Sequence, residues 1–402
     1  MNAARVGLFT ECYRPIQNGV VASVEALAVA LREREYQPAV VTPYVPGYRD
    51  DERSVVRLPS LPLPLPTAYR LTVPYLPPAL GRLSIVHAHS PFITGLLGAF
   101  CARRARIPLV FTYHTQLEAY AHYVPFEAGA TRDAATRLTR AYANIADAVV
   151  VPTTAMERRL RELGVRSRIV VVPSGIDVAV FGRGRRSENL RARLGAAPHE
   201  KMLLAVGRLG REKNIELTLA AFARLRLPDV RLVIVGDGPH RTRLELEAAR
   251  LGVAARTTFA REFPRAALPD AYASADAFAF ASRSETQGLV LVEAMAAGLP
   301  VVALDTPQTR EVLAGAGALV PDDPNAFARS LERVLECPHG LATAGRRVAE
   351  SYDAAALGDR VIGLYGDLLA SRRRPATSPP IAVDIERTFD VTGSELGKGR
   401  LR

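Results

Sequence analysis

Arg208 and Lys213 lie close together in Gly207-Arg208-Leu209-Gly210-Arg211-Glu212-Lys213-Asn214, directly after the apolar run Met202–Val206. A glycine at a strand end lets a ligand approach the backbone. A guanidinium fork and an ammonium point charge on one loop are what a diphosphate needs. The plain alternative is two surface cations, and the position after a strand and a glycine argues against it. A second segment, Ser284-Glu285-Thr286-Gln287-Gly288-Leu289-Val290-Leu291-Val292-Glu293, follows the run Ala277–Ala281. The pattern predicts a helix from about Gly288 to Gly298, with Pro300 beyond its end. The N–H groups of Gly288, Leu289 and Val290 would be unpaired at its start, an anion site with a positive dipole behind it. Glu285 precedes this helix, and Glu293 lies between one and two turns inside it. Each carboxylate suits two neighbouring sugar hydroxyls. A solvated surface role for Glu293 fits poorly, because the helix is almost wholly apolar and a charge there needs a partner.

Strand–helix alternation supplies the elements that position these residues. Arg5–Thr10, Ala39–Thr42, Ile85–Ala88, Leu109–Tyr113, Ala148–Pro152 and Ile169–Val172 read as strands, with helical stretches such as 20–35, 95–105 and 131–146 between them. A second series comprises Met202–Val206, Arg231–Val235, Thr257–Phe259, Ala277–Ala281, Val301–Ala303 and Ala318–Val320. Such alternation implies parallel sheets covered on both faces, an α/β class with two doubly wound domains. Ligands bind beyond the carboxyl ends of such strands, so two facing sheets place a site in the cleft between them. Phe181–Arg193 lacks an apolar run and reads as a linker. Leu58–Pro78 is dense in proline and reads as an ordered surface loop rather than a strand. From Arg372 the chain is basic, with Pro and Ser, and reads as a disordered tail over 372–402.

Bulk properties bound the function without choosing it. The 402 residues carry a net charge of +11, which suits phosphates, nucleic acid or an anionic membrane. Nucleic-acid binding would account for the charge but not for Glu285 or Glu293. Cys12, Cys101 and Cys337 form neither a disulfide framework nor a metal spacing, and a reducing cytoplasm fits them. The N-terminus lacks the charged start and long apolar run of a signal peptide, and no apolar stretch is long enough to span a bilayer. Asp50-Asp51 and Asp322-Asp323 read as solvated turns. No metal or cofactor is expected.

The Glu-x7-Glu element from Glu285 to Glu293, the Gly207–Asn214 element and Val235-Gly236-Asp237-Gly238-Pro239 together resemble glycosyltransferase family 4, retaining enzymes with the GT-B fold. The resemblance covers nearly all of residues 5–370. It implies two Rossmann-like domains facing a central cleft: 1–182 on the acceptor side, 183–351 for the nucleotide-sugar donor, and a helix at 352–371 returning to the N-terminal domain. It implies that Arg208 and Lys213 hold the donor diphosphate, that Glu285 binds the transferred sugar and that Glu293 binds the ribose. Pro15–Val20 resembles the family's first loop, so Gly19 and Val20 would approach the phosphates from the opposite domain. In Val86-His87-Ala88-His89-Ser90-Pro91 the second histidine of relatives faces the reacting sugar, which makes His89 the catalytic candidate and His87 structural. Thr112-Tyr113-His114-Thr115 brings further polar groups to a strand end. Relatives carry a glycine after Thr257-Thr258-Phe259. Here Ala260-Arg261-Glu262-Phe263 follows, which leaves the base open.

His114–Pro125 is similar to a segment of bacterial diacylglycerol glucosyltransferases in this family. The expected reaction is therefore hexose transfer from a nucleotide-sugar, UDP-glucose by this likeness, to a lipid acceptor such as diacylglycerol. Arg103, Arg104 and Arg106 and the apolar stretch near Leu61–Leu80 suit an anionic membrane, peripherally on its inner face. The alternatives are a phosphatidylinositol mannosyltransferase-like enzyme using GDP-mannose and a soluble glycosyltransferase. Outside that class stand a nucleotide-sugar epimerase, a phosphorylase, which would need Lys201 or Lys213 to carry its cofactor, and a non-catalytic binder.

Overall fold

The computed structural model describes residues 4–63, 69–123 and 127–373. Most of the expected tail, part of the proline-rich segment and the end of His114–Pro125 lie outside the described residues.

The first sheet contains β1 (Arg5–Phe9), β2 (Gln37–Pro43) and β3 (Val55–Leu58). A separate ribbon pairs β4 (Ser60–Pro62) antiparallel with β5 (Arg70–Thr72). The sheet then takes up β6 (Ile85–Ala88), β7 (Leu109–Thr112), β8 (Ala148–Val151) and β9 (Arg168–Val171). Its order is β3-β2-β1-β6-β7-β8-β9, parallel throughout. Strands covered on both faces must be apolar along their length rather than alternating, and Ala148–Val151 is buried at every residue. The second sheet comprises β10 (Lys201–Val206), β11 (Val230–Val235), β12 (Thr257–Ala260), β13 (Ala277–Phe280), β14 (Val301–Leu304) and β15 (Ala318–Val320). Its order is β12-β11-β10-β13-β14-β15, again all parallel.

Each sheet reverses its winding once. β1 pairs with β2 on one side and β6 on the other, and β10 pairs with β11 and β13. The loops after β1, β6, β10 and β13 therefore open at the two switch points, where a doubly wound sheet leaves a crevice. These are the loops that carry Gly19, His89, Arg208 with Lys213, and Glu285.

The chain passes between the sheets over residues 172–177. Gly175 lies where an added Cβ would come within 2.5 Å of Ala354 Cα, so only glycine lets the two crossing segments touch. There Ile176 N–H donates to the Tyr352 carbonyl at 3.0 Å, and Ala354 N–H donates to the Ile176 carbonyl at 2.9 Å. The returning helix, Ala354–Arg373, then crosses back as expected. It adds Leu357, Leu364 and Leu368 to the core that holds Val24 and Leu31, and Arg34 pairs with Asp359. It continues through Arg372, which bonds Asp147 at 2.8 Å, so the expected start of the tail at Arg372 falls inside the helix.

Two further expectations differ from the structure. The proline-rich segment holds the β4–β5 ribbon, in which Leu61 faces Leu71. A two-stranded ribbon leaves outer N–H positions unpaired, which is where proline is tolerated. Phe181–Arg193 is not a plain linker: helices run over Val178–Gly182 and Glu188–Arg193, capped by the side chains of Asp177 and Ser187. Phe181, on the N-terminal side of the expected boundary, packs on Tyr272 with ring centroids 5.8 Å apart. The buried anchor of the second helix is Arg191, which donates to the carbonyls of Ser274 at 2.6 Å and Glu200 at 2.5 Å. A buried arginine leaves no apolar pattern to read. Among the described residues, no helix is long and apolar enough to cross a membrane.

Candidate functional site

Two helix starts face each other across the cleft. Asn18 Oδ1 accepts from Val21 N–H at 2.9 Å and caps the helix Gly19–Glu33. Gly19 is so close to the other domain that a Cβ there would lie 3.7 Å from Leu289 Cδ1. Leu289 opens the helix Leu289–Ala296, whose cap residue Gly288 has φ of 88° and no capping side chain. The left-handed turn turns the chain sharply out of the loop, and the first N–H groups of the helix have no partner within it. Val20, Leu289 and Val290 are half-buried against the core. The positive ends of two helix dipoles thus meet at one place.

Cationic side chains stand beside them. Lys213 ends the short 3-10 turn Arg211–Lys213, and its ammonium pairs with the Glu285 carboxylate. Arg208, partly exposed, lies with Nη1 3.8 Å from Glu212 Oε1. Tyr69, whose hydroxyl accepts from Asn18 Nδ2 at 3.2 Å, reaches this region from the ribbon side. The arrangement can hold a doubly charged anion between the helix starts and leaves Glu285 beside it.

Glu293 is buried, and its partners are specific. Tyr272 donates its hydroxyl to Oε2 at 2.8 Å, and Arg265 Nη1 lies 3.3 Å from Oε1. Burial pushes its carboxyl above the usual range, and Arg265 and the Tyr272 bond oppose that. The partner that an apolar helix demands is therefore present.

Three histidines form a row behind the cleft. His87 bonds Tyr365 of the returning helix at 2.5 Å and Thr112 at 2.6 Å. Its ring stacks on His89, centroids 4.3 Å apart, and His89 stacks on His114 at 5.1 Å. His89 Nδ1 lies 2.8 Å from His114 Nε2, so one ring donates and the other accepts. Burial keeps all three neutral: His87 is pushed down to about 3, His114 to about 4, and His89 well below its ordinary value. His87 is buried, with both ring nitrogens bonded, and it lines the same cavity as His89. His89 lines a cavity of ≈ 40 Å³ with Ser23, Ser174, Gly175 and Leu357, and none of Arg208, Lys213 or Glu285 borders it. His114 is the histidine that touches the Glu285 loop, through its carbonyl, which accepts from Thr286 Oγ1 at 2.9 Å.

Sequence reasoning placed His114 at a strand end and gave it no role. Its link to His89 depends on β6 and β7 being neighbours, with Ala88 opposite Phe111, which no spacing reveals. Tyr272 was missed for the same reason. Of the paired aspartates, Asp50 bonds Arg57, Asp322 bonds Arg283, and Asp323 caps the Pro324–Glu336 helix. Among the described residues, no group of three or more His, Cys, Asp or Glu is placed to hold a metal. In the segment where relatives carry glycine, Arg261 pairs with Asp237 at 3.4 Å.

Known proteins share this framework. Residues 17–180 match the family described as Glycosyltransferase Family 4, and residues 186–351 match the family described as Glycosyl transferases group 1. The alpha-monoglucosyldiacylglycerol synthase of Streptococcus pneumoniae is 31% identical over 382 residues, covering 91% of this chain and 86% of that protein. The synthase of the same name from Acholeplasma laidlawii is 30% identical over 316 residues, 74% of this chain and 79% of that one. A GDP-mannose-dependent alpha-mannosyltransferase of Mycobacterium tuberculosis is 34% identical over 328 residues, covering 78% and 82%. Sucrose-phosphate synthase from Thermosynechococcus elongatus shares the fold, with a TM-score of 0.74 at 23% identity, covering 92% of this chain and 100% of that one. The facing of two doubly wound sheets and the likeness over nine-tenths of the chain lead to one assignment: this protein belongs to glycosyltransferase family 4 and is a hexosyltransferase of the GT-B fold.

Proposed function

We propose that the chain transfers glucose from UDP-glucose to the hydroxyl of diacylglycerol at an anionic membrane surface, with retention at the anomeric carbon. The observation that carries the donor half is the Lys213–Glu285 ion pair set beside two facing helix starts. On this reading the diphosphate takes Lys213 and Arg208 as partners, and Gly19, Val20 and the Gly288–Val290 amides complete its cradle. Glu285, released from Lys213, binds the hydroxyls of the transferred sugar, and Glu293 binds the ribose. The bond from the anomeric carbon to the diphosphate oxygen breaks while the acceptor oxygen bonds from the same face. The acceptor's proton passes to the leaving diphosphate. Preorganised cations and helix dipoles stabilise the charge that develops there. By the family resemblance His89 faces the reacting sugar, and its bonded neighbour His114 links it to the Glu285 loop.

The lipid acceptor is supported by the names of the two synthases and by the surface. Phe92, Leu96 and Phe100 lie one helical turn apart at the start of and along the Ile93–Ala105 helix and are exposed. Leu61 and Leu71 of the ribbon and Tyr75 beyond it are also exposed. Arg103, Arg104 and Arg106 are exposed at the end of the same helix. Apolar side chains beside clustered cations suit an anionic lipid surface.

A second reading, mannose transfer from GDP-mannose, is favoured by the mycobacterial relative, and Ala260-Arg261 leaves the base open between the two. Donor consumption with UDP-glucose, UDP-galactose and GDP-mannose, each with and without diacylglycerol vesicles, tests both. UDP-glucose consumption stimulated by diacylglycerol is expected. Consumption of GDP-mannose alone would replace the first reading by the second.

A further inference from the structure

The loop that carries Glu285 is also where the two domains hold each other. Gln116 Nε2 donates to the Glu285 carbonyl at 2.8 Å. Thr286 donates its hydroxyl to the His114 carbonyl at 2.9 Å, and its own carbonyl accepts from Thr153 Oγ1 at 2.9 Å. The Gln287 side chain reads the backbone of Ser174 twice, accepting from its N–H at 2.7 Å and donating to its carbonyl at 2.9 Å. Three successive residues are thus tied to three different N-terminal elements.

The ties differ in kind. Ser174 lies in the crossover, beside the pivot made by Ile176 and Asp353, so the Gln287 bonds can persist while the domains rotate. His114 and Thr153 stand at the ends of β7 and β8, on the far domain, so the Thr286 bonds exist only when the cleft is closed. Their direction is fixed as well. Thr153 Oγ1 accepts from Met156 N–H at 3.3 Å, which leaves its one proton for Thr286.

We propose that Thr286 is a positioning residue that aligns the histidine row with Glu285 as the cleft closes. It follows Glu285 directly in the chain, and it bonds the residue whose ring holds His89. Together with the Gln116 and Thr153 bonds to the same loop, and with Glu311, which accepts from Thr154 N–H at 2.8 Å, this hydroxyl sets the distance between the sugar-binding carboxylate and the histidines. This inference rests on the cleft being the transfer site.

Thr286→Val keeps the shape and removes the hydroxyl, and Thr286→Ser keeps the hydroxyl. Closure is read by energy transfer between dyes on Arg104→Cys and Leu246→Cys, with Cys101 and Cys337 replaced by serine, with and without UDP. Transfer is read as kcat and donor KM. Loss of one net hydrogen bond predicts that Thr286→Val lowers the closed-to-open ratio roughly three- to tenfold. It should lower kcat by at least as much, and Thr286→Ser should restore both. Thr286→Ala serves if the valine variant fails to fold. Wild-type closure and kcat in Thr286→Val, or a serine variant as impaired as the valine one, would overturn the proposal. A wild-type chain that closes but transfers no sugar would instead sink the functional reading and leave the closure result standing.

Discussion

Lys213 and Glu285 lie 72 positions apart, on loops following strands at one switch point, and their side chains form an ion pair inside the cleft. Both are largely shielded from solvent. Each neutralises the other, and on the proposed assignment an entering diphosphate would exchange one carboxylate partner of Lys213 for another anion. The carboxylate would then be free to accept hydrogen bonds from the sugar next to it.

The first prediction follows. Lys213→Ala and Glu285→Ala should each lower kcat by about 10²–10³-fold while the fold is kept, the scale of losing one charge-stabilising group. Circular dichroism checks the fold and radiolabelled donor checks the rate. Wild-type turnover in either variant would contradict the site assignment.

Tyr272→Phe removes one of the two partners of a buried carboxylate. A hydrogen bond to a charged group contributes about 2 kcal/mol, so denaturant stability should fall by about that amount. Donor KM should rise more than kcat falls, because Glu293 is assigned to ribose binding. An unchanged KM would detach Glu293 from the donor.

Much of this was legible in the sequence because apolar runs and glycines record strand positions and helix ends directly. The Glu285–Glu293 element and the Arg208 loop are local patterns of that kind, whereas the return of the last helix was implied by the family resemblance. What was not legible depends on contacts across the fold. His114 acquires its place from the β6–β7 pairing, Tyr272 from the packing of Phe181, and Arg191 is a core residue that carries a charge. The ribbon at Leu61 and Leu71 was hidden by its prolines.

The neutral histidines predict a pH dependence of stability. His87 and His114 are pushed down to about 3 and about 4 from 6.5. The unfolded chain takes up protons below about pH 6.5 that the folded chain refuses, so stability is present above that pH and falls as pH drops towards 4. At pH 5 each such group costs about 2 kcal/mol relative to pH 7. Half-buried Glu11 and buried Glu293, whose carboxyls are raised, act in the opposite direction. The test is therefore a difference: urea unfolding of His87→Gln should show a shallower loss between pH 7 and 5 than wild type. Parallel slopes would contradict the burial of a neutral His87.

For the surface, joint replacement of Phe92, Leu96 and Phe100 by serine should abolish flotation with anionic vesicles. Replacing Arg103, Arg104 and Arg106 by glutamine should weaken it at low salt, and high salt should weaken the wild type similarly. No wild-type binding at low salt would count against the lipid surface.

The central claim is retaining transfer of glucose in this cleft to a lipid hydroxyl. The most direct test incubates the full chain with UDP-glucose and anionic vesicles containing diacylglycerol, then determines the anomeric configuration of the glycolipid by nuclear magnetic resonance. The account predicts an α-glucosyl product from wild type and about 10²-fold less or lower still from Lys213→Ala. A β-linked product, or equal product from the variant, would contradict it.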